Sequence, residues 1–101
     1  MYSAVSKSGV PIRLPDERWV HITEEHSELA GHLYDVLETV SDPAAVYRGP
    51  AGELLAVREI ETGKVLVAVY REINPSDGFV ITAFLTRRLQ QLERRQRLWP
   101  N

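Results

Sequence analysis

Between Ala44 and Thr86 the chain is a succession of apolar, β-branched runs, separated by gaps that hold only a turn. The runs read AAVYR (44–48), LLAVREI (54–60), VLVAVYREI (65–73) and FVITAFLT (79–86). Gly49-Pro50 with Gly52, then Glu61-Thr62-Gly63-Lys64, then Asn74-Pro75-Ser76-Asp77-Gly78 supply the connections. Parallel neighbours need crossovers of a dozen residues, so strands spaced this closely pair antiparallel. The two central runs are apolar at nearly every position. Both faces of the sheet therefore need cover, part of which a partner chain would supply.

The flanks supply the rest of the architecture. VPIRL (10–14) reads as a short edge strand whose pairing Pro11 limits, after a flexible lead over residues 1–9. WVHI (19–22) leads to Thr23, a helix cap. Glu24 and Glu25 follow in the first turn, and Leu29, Leu33, Val36, Leu37 and Val40 recur at helical spacing. Asp42-Pro43 stops that helix. RRLQQLERRQRLW (87–99) reads as a terminal helix anchored by Leu89, Leu92 and Trp99. The expectation is a single α+β domain over residues 1–101. It has two layers: an antiparallel sheet of four to five strands, an N-terminal helix packed on it and a C-terminal helix, the helices gathered on one face.

Composition narrows the function classes. The chain has 101 residues and no cysteine, so disulfides and thiolate chemistry are excluded. No apolar run approaches the ~20 residues of a membrane span, and the first residues lack the apolar stretch of a signal peptide. A cytoplasmic protein with no membrane partner is expected. The net charge of −2 hides an asymmetry: residues 1–43 carry net −5, residues 44–86 net −1, and residues 87–101 net +4. A basic end of this kind marks either a nucleic-acid-facing side or a solvated helix face.

Candidate chemistry is confined to a few side chains. His26 shares the stripe of Leu29, Leu33, Val36 and Val40, which places it at the N-terminal end of the expected helix, where free N–H groups attract anions. His21 lies just before, and His32 falls to the side of the stripe, at the surface. Alternation puts Arg58 among Leu54, Ala56 and Ile60, a charge in an apolar row that calls for an anionic partner such as Glu25 or Glu28. Tyr70 shares a face with Leu66 and Ala68, and Thr82 with Val80 and Phe84. With suitable register, Arg58, Tyr70 and Thr82 form a row across the sheet. The plain alternatives are core packing for Tyr70, strand propensity for Thr82 and a satisfied boundary position for each histidine. No metal site is expected from histidines five apart without cysteine. No Gly-rich phosphate loop and no serine nucleophile are present, and no cofactor is implied.

The succession WVHITEEHSEL, a helix ending at DPAAVYR, a strand carrying Arg58, VLVAVY, GFVITAF and a closing tryptophan resembles the BECR-fold nucleases, the barnase, EndoU, colicin and RelE type. It is most similar to their small bacterial and phage-borne members, over roughly residues 18–99. The chain departs from that pattern at Ser27, where many relatives have proline, and in its acidic net charge. The resemblance implies a metal-independent endoribonuclease, often a toxin, that cuts RNA through attack of the ribose 2′-OH. It implies His26 and His21 as acid and base, Arg58 as the phosphorane-stabilising cation, Thr82 as a phosphate ligand and Tyr70 as a looser match. It further implies Arg48, Arg87 and Arg88 as RNA contacts, and an antitoxin or immunity protein as partner. The competing expectation is a non-catalytic assembly domain of the same fold. Such a domain would dimerise through the sheet face or the C-terminal helix, with Trp19 and Trp99 as anchors.

Overall fold

The computed structural model describes residues 1–101. Its core element is a seven-stranded mixed sheet. The strands are β1 (Tyr2–Val5), β2 (Pro11–Leu14), β3 (Ala45–Arg48), β4 (Leu54–Glu61), β5 (Lys64–Asn74), β6 (Asp77–Thr86) and β7 (Arg97–Trp99), in the spatial order β1-β2-β6-β5-β4-β3-β7. The antiparallel meander β3 to β6 is as the turn spacing requires. β4 and β5 are joined through Thr62-Gly63, with Glu61 opposite Lys64. β5 and β6 are joined through Pro75-Ser76, where the Ser76 N–H donates to Asn74 Oδ1 at 2.8 Å.

The sheet is larger than the expected four to five antiparallel strands. Residues 2–5 are not a flexible lead but the outermost strand, pairing antiparallel with β2. β2 is therefore an interior strand rather than an edge, and it lies parallel to β6 through Ile12 opposite Gly78 and Arg13 opposite Phe79. At the other end, Arg97–Trp99 leave the helical pattern and pair with β3. The Arg- and Gln-rich 87–99 segment keeps only a short helix, α3 (Leu89–Glu93). Joining an unpaired strand edge satisfies backbone groups that an isolated two-turn helix leaves to solvent.

The N-terminal helical region is also divided differently. α1 runs from Asp16 to Glu25, so WVHI lies inside it and Thr23 sits in its last turn. The Thr23 hydroxyl bonds back to the Trp19 and Val20 carbonyls at 3.1 and 3.0 Å, rather than capping. Pro15 precedes the helix in an extended conformation, and Asp16 and Glu17 occupy the first turn. Both are helix-start signals. A 3-10 turn (Ser27–Leu29) and Gly31, at φ +85°, separate α1 from α2 (Leu33–Ser41). The left-handed backbone at Gly31 breaks what the apolar spacing alone presents as one helix.

Two cores form, one on each sheet face. α1, the 3-10 turn and α2 cover one face through Ile22, Leu29, Val36 and Val40, packed on Ile12, Leu14, Ala56, Leu66, Tyr70 and Val80. The opposite face holds Tyr47, Leu55, Val57, Val65, Val67 and Val69, and is closed by Leu92 with Leu89 of α3. The helices are thus divided between the two faces, not gathered on one. Val67 is fully buried, so this chain covers the centre of its own second face.

Two features fix the β2–β6 junction. Arg13 holds Asp77 in a two-pronged ion pair, Nε to Oδ1 at 2.8 Å and Nη2 to Oδ2 at 3.1 Å. Gly78, opposite Ile12, has no space for a side chain. A Cβ there would lie 2.6 Å from both the Arg71 carbonyl oxygen and Ile12 Cδ1. Gly78→Ala is expected to lower unfolding stability by about 1–3 kcal/mol through overpacking, measured as a shift in the urea midpoint at unchanged slope. The Arg13 hydrogen bond, above all, holds Asp77 below the usual carboxylate range, with the Arg13 charge and the Gly78 N–H adding to it against partial burial. A lowered folded-state value gives stability that is present above the unfolded value of ~3.9 and lost as pH falls through the folded value. Urea midpoints of wild type and Arg13→Gln should therefore differ by a constant amount above about pH 5 and converge below about pH 4.

Candidate functional site

β2 pairs with β6 only at Gly78 and Phe79. From Val80 onward the same edge of β6 has no neighbouring strand, and there the C-terminal half of α1 and the 3-10 turn pack instead. Along α1, Arg18, His21, Ile22 and Glu25 fall at positions i, i+3, i+4 and i+7, which is one face of a helix. Ile22 anchors that face in the core, 2% exposed. Arg18, His21 and Glu25 then line a depression of ≈ 290 Å³, together with His26, Ile81 and Thr82.

Thr82 reaches this depression because β6 is irregular. Val80 lies opposite Tyr70 and Thr82 opposite Val69, leaving Ile81 as an extra residue. The bulge breaks the alternation, so Val80 joins the helix-side core while Thr82 and Phe84 turn to the other face. Bulges re-aim side chains in this way and are common beside functional sites.

His26 ends α1 and caps the 3-10 turn that follows. Its N–H donates to the Ile22 carbonyl at 2.8 Å, and its carbonyl accepts from the Leu29 N–H at 2.9 Å. The ring sits against Phe84, centroids 6.1 Å apart at 40°. Nδ1 lies 3.7 Å from Glu28 Oε2, which leaves Nε2 as the ring nitrogen without a carboxylate beside it. Arg18 and His21 make no ion pair. The depression thus combines two imidazoles, a free guanidinium, a hydroxyl and a carboxylate. This set is able to move protons and hold an oxyanion.

The remaining candidates lie elsewhere. Arg58 shares the helix-side face with Ala56, as alternation requires, but its Nη1 pairs with Glu38 Oε1 of α2 at 2.7 Å, not with Glu25 or Glu28. The expected row of Arg58, Tyr70 and Thr82 does not form. Arg58 is opposite Leu66 and Tyr70 opposite Leu54, so the two are four residues apart along the strands, about 13 Å. Thr82 faces the opposite side. Tyr70 and Arg48 instead line a second pocket, of ≈ 320 Å³, with Lys7, Glu72 and Trp99. Burial, with a lesser contribution from the Glu72 charge, raises the Tyr70 hydroxyl above its ordinary value. Arg87 lines a shallow hollow with Lys64, Thr86 and Glu28, the carboxylate facing His26. Arg88 is exposed, its N–H donating to Thr86 Oγ1 at 3.0 Å. His32 is half-buried and bonded to Asp35 at 2.8 Å.

Sequence reasoning missed Arg18 as a neighbour of His21. The signal was present: with Pro15 taken as the helix start, Arg18-x-x-His21-Ile22-x-x-Glu25 reads as one helical face. The two tryptophans, expected anchors of a dimer, are half-buried and packed on the helix-side core. The exposed large apolar side chains are Met1, ahead of β1, and Val5, Val20, Tyr34 and Ile73, which are dispersed over β1, α1, α2 and β5. No group of three histidine, aspartate or glutamate side chains is arranged to hold a metal ion. No helix is long and apolar enough to cross a membrane.

Comparison of the chain with family models, with curated proteins and with solved structures gives no significant match.

The Arg58–Glu38 pair joins α2 to β4 at a partly exposed position, so solvent screens it. A double-mutant cycle with Arg58→Gln and Glu38→Gln is expected to give a coupling energy of about 0.2–1 kcal/mol in chemical denaturation. A coupling of several kcal/mol would instead mark a pair held out of water.

Proposed function

We propose that this domain is a metal-independent endoribonuclease of the BECR type, working from the depression between α1 and the free edge of β6. The observation that carries this reading is the meeting of His21, His26, Arg18 and Thr82 in one hollow. Cleavage through the ribose 2′-OH needs a base to take the hydroxyl proton and an acid to protonate the leaving 5′ oxygen. It also needs a cation beside the anionic oxygens of the pentacoordinate phosphorane. The two histidines divide the acid and base roles. Arg18 supplies the charge that the resemblance assigns to Arg58, and Thr82 hydrogen-bonds a phosphate oxygen. The O2′–P bond forms as the P–O5′ bond breaks, giving a cyclic phosphate and a free 5′-hydroxyl. Arg87 and Lys64, in the hollow on the far side of Glu28, lie where the RNA backbone would continue.

The test is incubation of the purified protein with cellular RNA in EDTA, followed by analysis of fragment ends. Cyclic-phosphate ends are expected. His26→Ala should reduce the rate by about 10²–10⁴-fold, and Arg18→Gln by about 10²–10³-fold. Both variants should retain wild-type thermal transitions, because each removes a side chain at the rim rather than in the core. Folded wild-type protein that leaves RNA intact, or a His26→Ala variant that cuts at the wild-type rate, would overturn the assignment.

A further inference from the structure

The second pocket lies at the other side of the helix-side core. Its floor is Tyr70 with Val46 and Leu54, its wall is Trp99, and its rim carries Lys7, Arg48 and Glu72. The donors in it are free. Tyr70 is 1% exposed, yet its hydroxyl takes part in no hydrogen bond. No fully buried side-chain oxygen or nitrogen is without a partner, so the little surface Tyr70 keeps is at the hydroxyl, facing the pocket. A hydroxyl at this depth is left to whatever occupies the pocket, since no protein group meets it.

The two cations are equally unclaimed. Arg48 donates its Nε to Gln96 Oε1 at 3.2 Å, and its terminal nitrogens have no protein acceptor. Lys7 lies over the Trp99 ring, Nζ 4.5 Å from the centroid, and forms no ion pair although Glu72 shares the pocket. The one carboxylate, Glu72, accepts from the Ser6 hydroxyl at 2.5 Å and keeps its charge, so the pocket's three charged groups sum to +1. Three unspent donors therefore meet over an apolar floor, and their free charge is positive.

We propose that this pocket binds a small organic anion, a phosphate monoester or carboxylate carried on a compact apolar body. The anion takes the Tyr70 hydroxyl, the Arg48 terminal nitrogens and the Lys7 ammonium, while the body rests on Val46, Leu54 and Trp99. At ≈ 320 Å³ the pocket is at the small end of the range for ligand sites, which suits a single-ring or short-chain compound. The site is separate from the histidine depression, and its occupancy does not depend on ribonuclease activity.

The test is calorimetric titration of the full chain with phenyl phosphate, benzoate and phenol, with amide chemical shifts locating each compound. Saturable binding of phenyl phosphate or benzoate is expected, with shifts at Lys7, Ser8, Arg48, Tyr70 and Trp99. Whichever compound binds more tightly names the anion. Phenol, which keeps the ring and loses the charge, should bind at least about tenfold more weakly. Lys7→Gln and Arg48→Gln, both at the rim, should each weaken binding about tenfold, and Tyr70→Phe by a similar factor. The proposal is overturned if neither anion saturates by ~10 mM, if phenol binds as tightly, if the shifts fall elsewhere, or if the folded rim variants bind like wild type. The His26→Ala assay on RNA reports on the other pocket, so failure of one assignment is distinguishable from failure of the other.

Discussion

Everything in this fold depends on covering β5 from both sides. The strand alternates Val65, Val67 and Val69 on one face with Leu66, Ala68 and Tyr70 on the other, and all six are buried. A strand with no polar face has to be central, with neighbours at both edges and a layer above and below. β4 and β6 meet the first requirement at once, because their connecting turns are short. The second draws in sequence from both ends of the chain. α1 and α2 come from the first 41 residues, and Leu89 and Leu92 from the last 13.

Meeting that requirement leaves β6 only half paired, and the site follows from this. β2 arrives parallel and short, bonded to β6 at Gly78 and Phe79 and fastened by Arg13 and Asp77. Gly78 leaves room there for the Ile12 side chain and the Arg71 carbonyl of β5, which any side chain would strike. Beyond that point the β6 edge would offer unpaired backbone groups to other chains. The bulge at Ile81 and the end of α1 interrupt it. Together they form the hollow in which a hydroxyl from one strand meets a guanidinium and an imidazole from α1 and a second imidazole just after it. The same irregularity that protects the edge thus brings Thr82 to the histidines.

The meander was legible in the sequence because its signals are local: alternating runs of β-branched residues and turns of two to five residues. The Asp42-Pro43 helix stop and the face of Arg58 were legible for the same reason. Pairing across the chain was not. Nothing in Tyr2–Val5 or Arg97–Trp99 marks a strand until β2 and β3 present edges to pair with, and propensity for helix in 87–99 gives way to that pairing. The bulge was hidden too, because a single extra residue leaves no mark in the composition of GFVITAF. Assuming unbroken alternation put Thr82 on the wrong face and lined it up with Arg58 and Tyr70. His21 and His26 do line one hollow, but taking Thr23 as the cap starts the helix eight residues late. That shift placed His26 at a helix N-terminus and hid Arg18 on the face of His21.

Net charge was the least informative quantity, and the ion pairs show why. The carboxylates Asp77, Glu38, Glu61, Glu28 and Asp35 face Arg13, Arg58, Lys64, His26 and His32, and most of these pairs join one element to another. What matters for an anionic ligand is the cations left over. Arg18 is left beside His21, Lys7 and Arg48 around Tyr70, and Arg87 in the hollow next to Glu28. An acidic chain can still present a cationic cavity: Lys7 and Arg48 outnumber Glu72 in the second pocket, whereas Glu25 offsets Arg18 in the depression. Arg18 and Arg48 are exposed at the rims of their hollows, where salt screens carboxylates more than a Debye length away, so the nearest charges outweigh the total. The anion binding proposed for the two pockets would for that reason carry a salt dependence set by one or two charges in each rather than by the charge of the whole molecule.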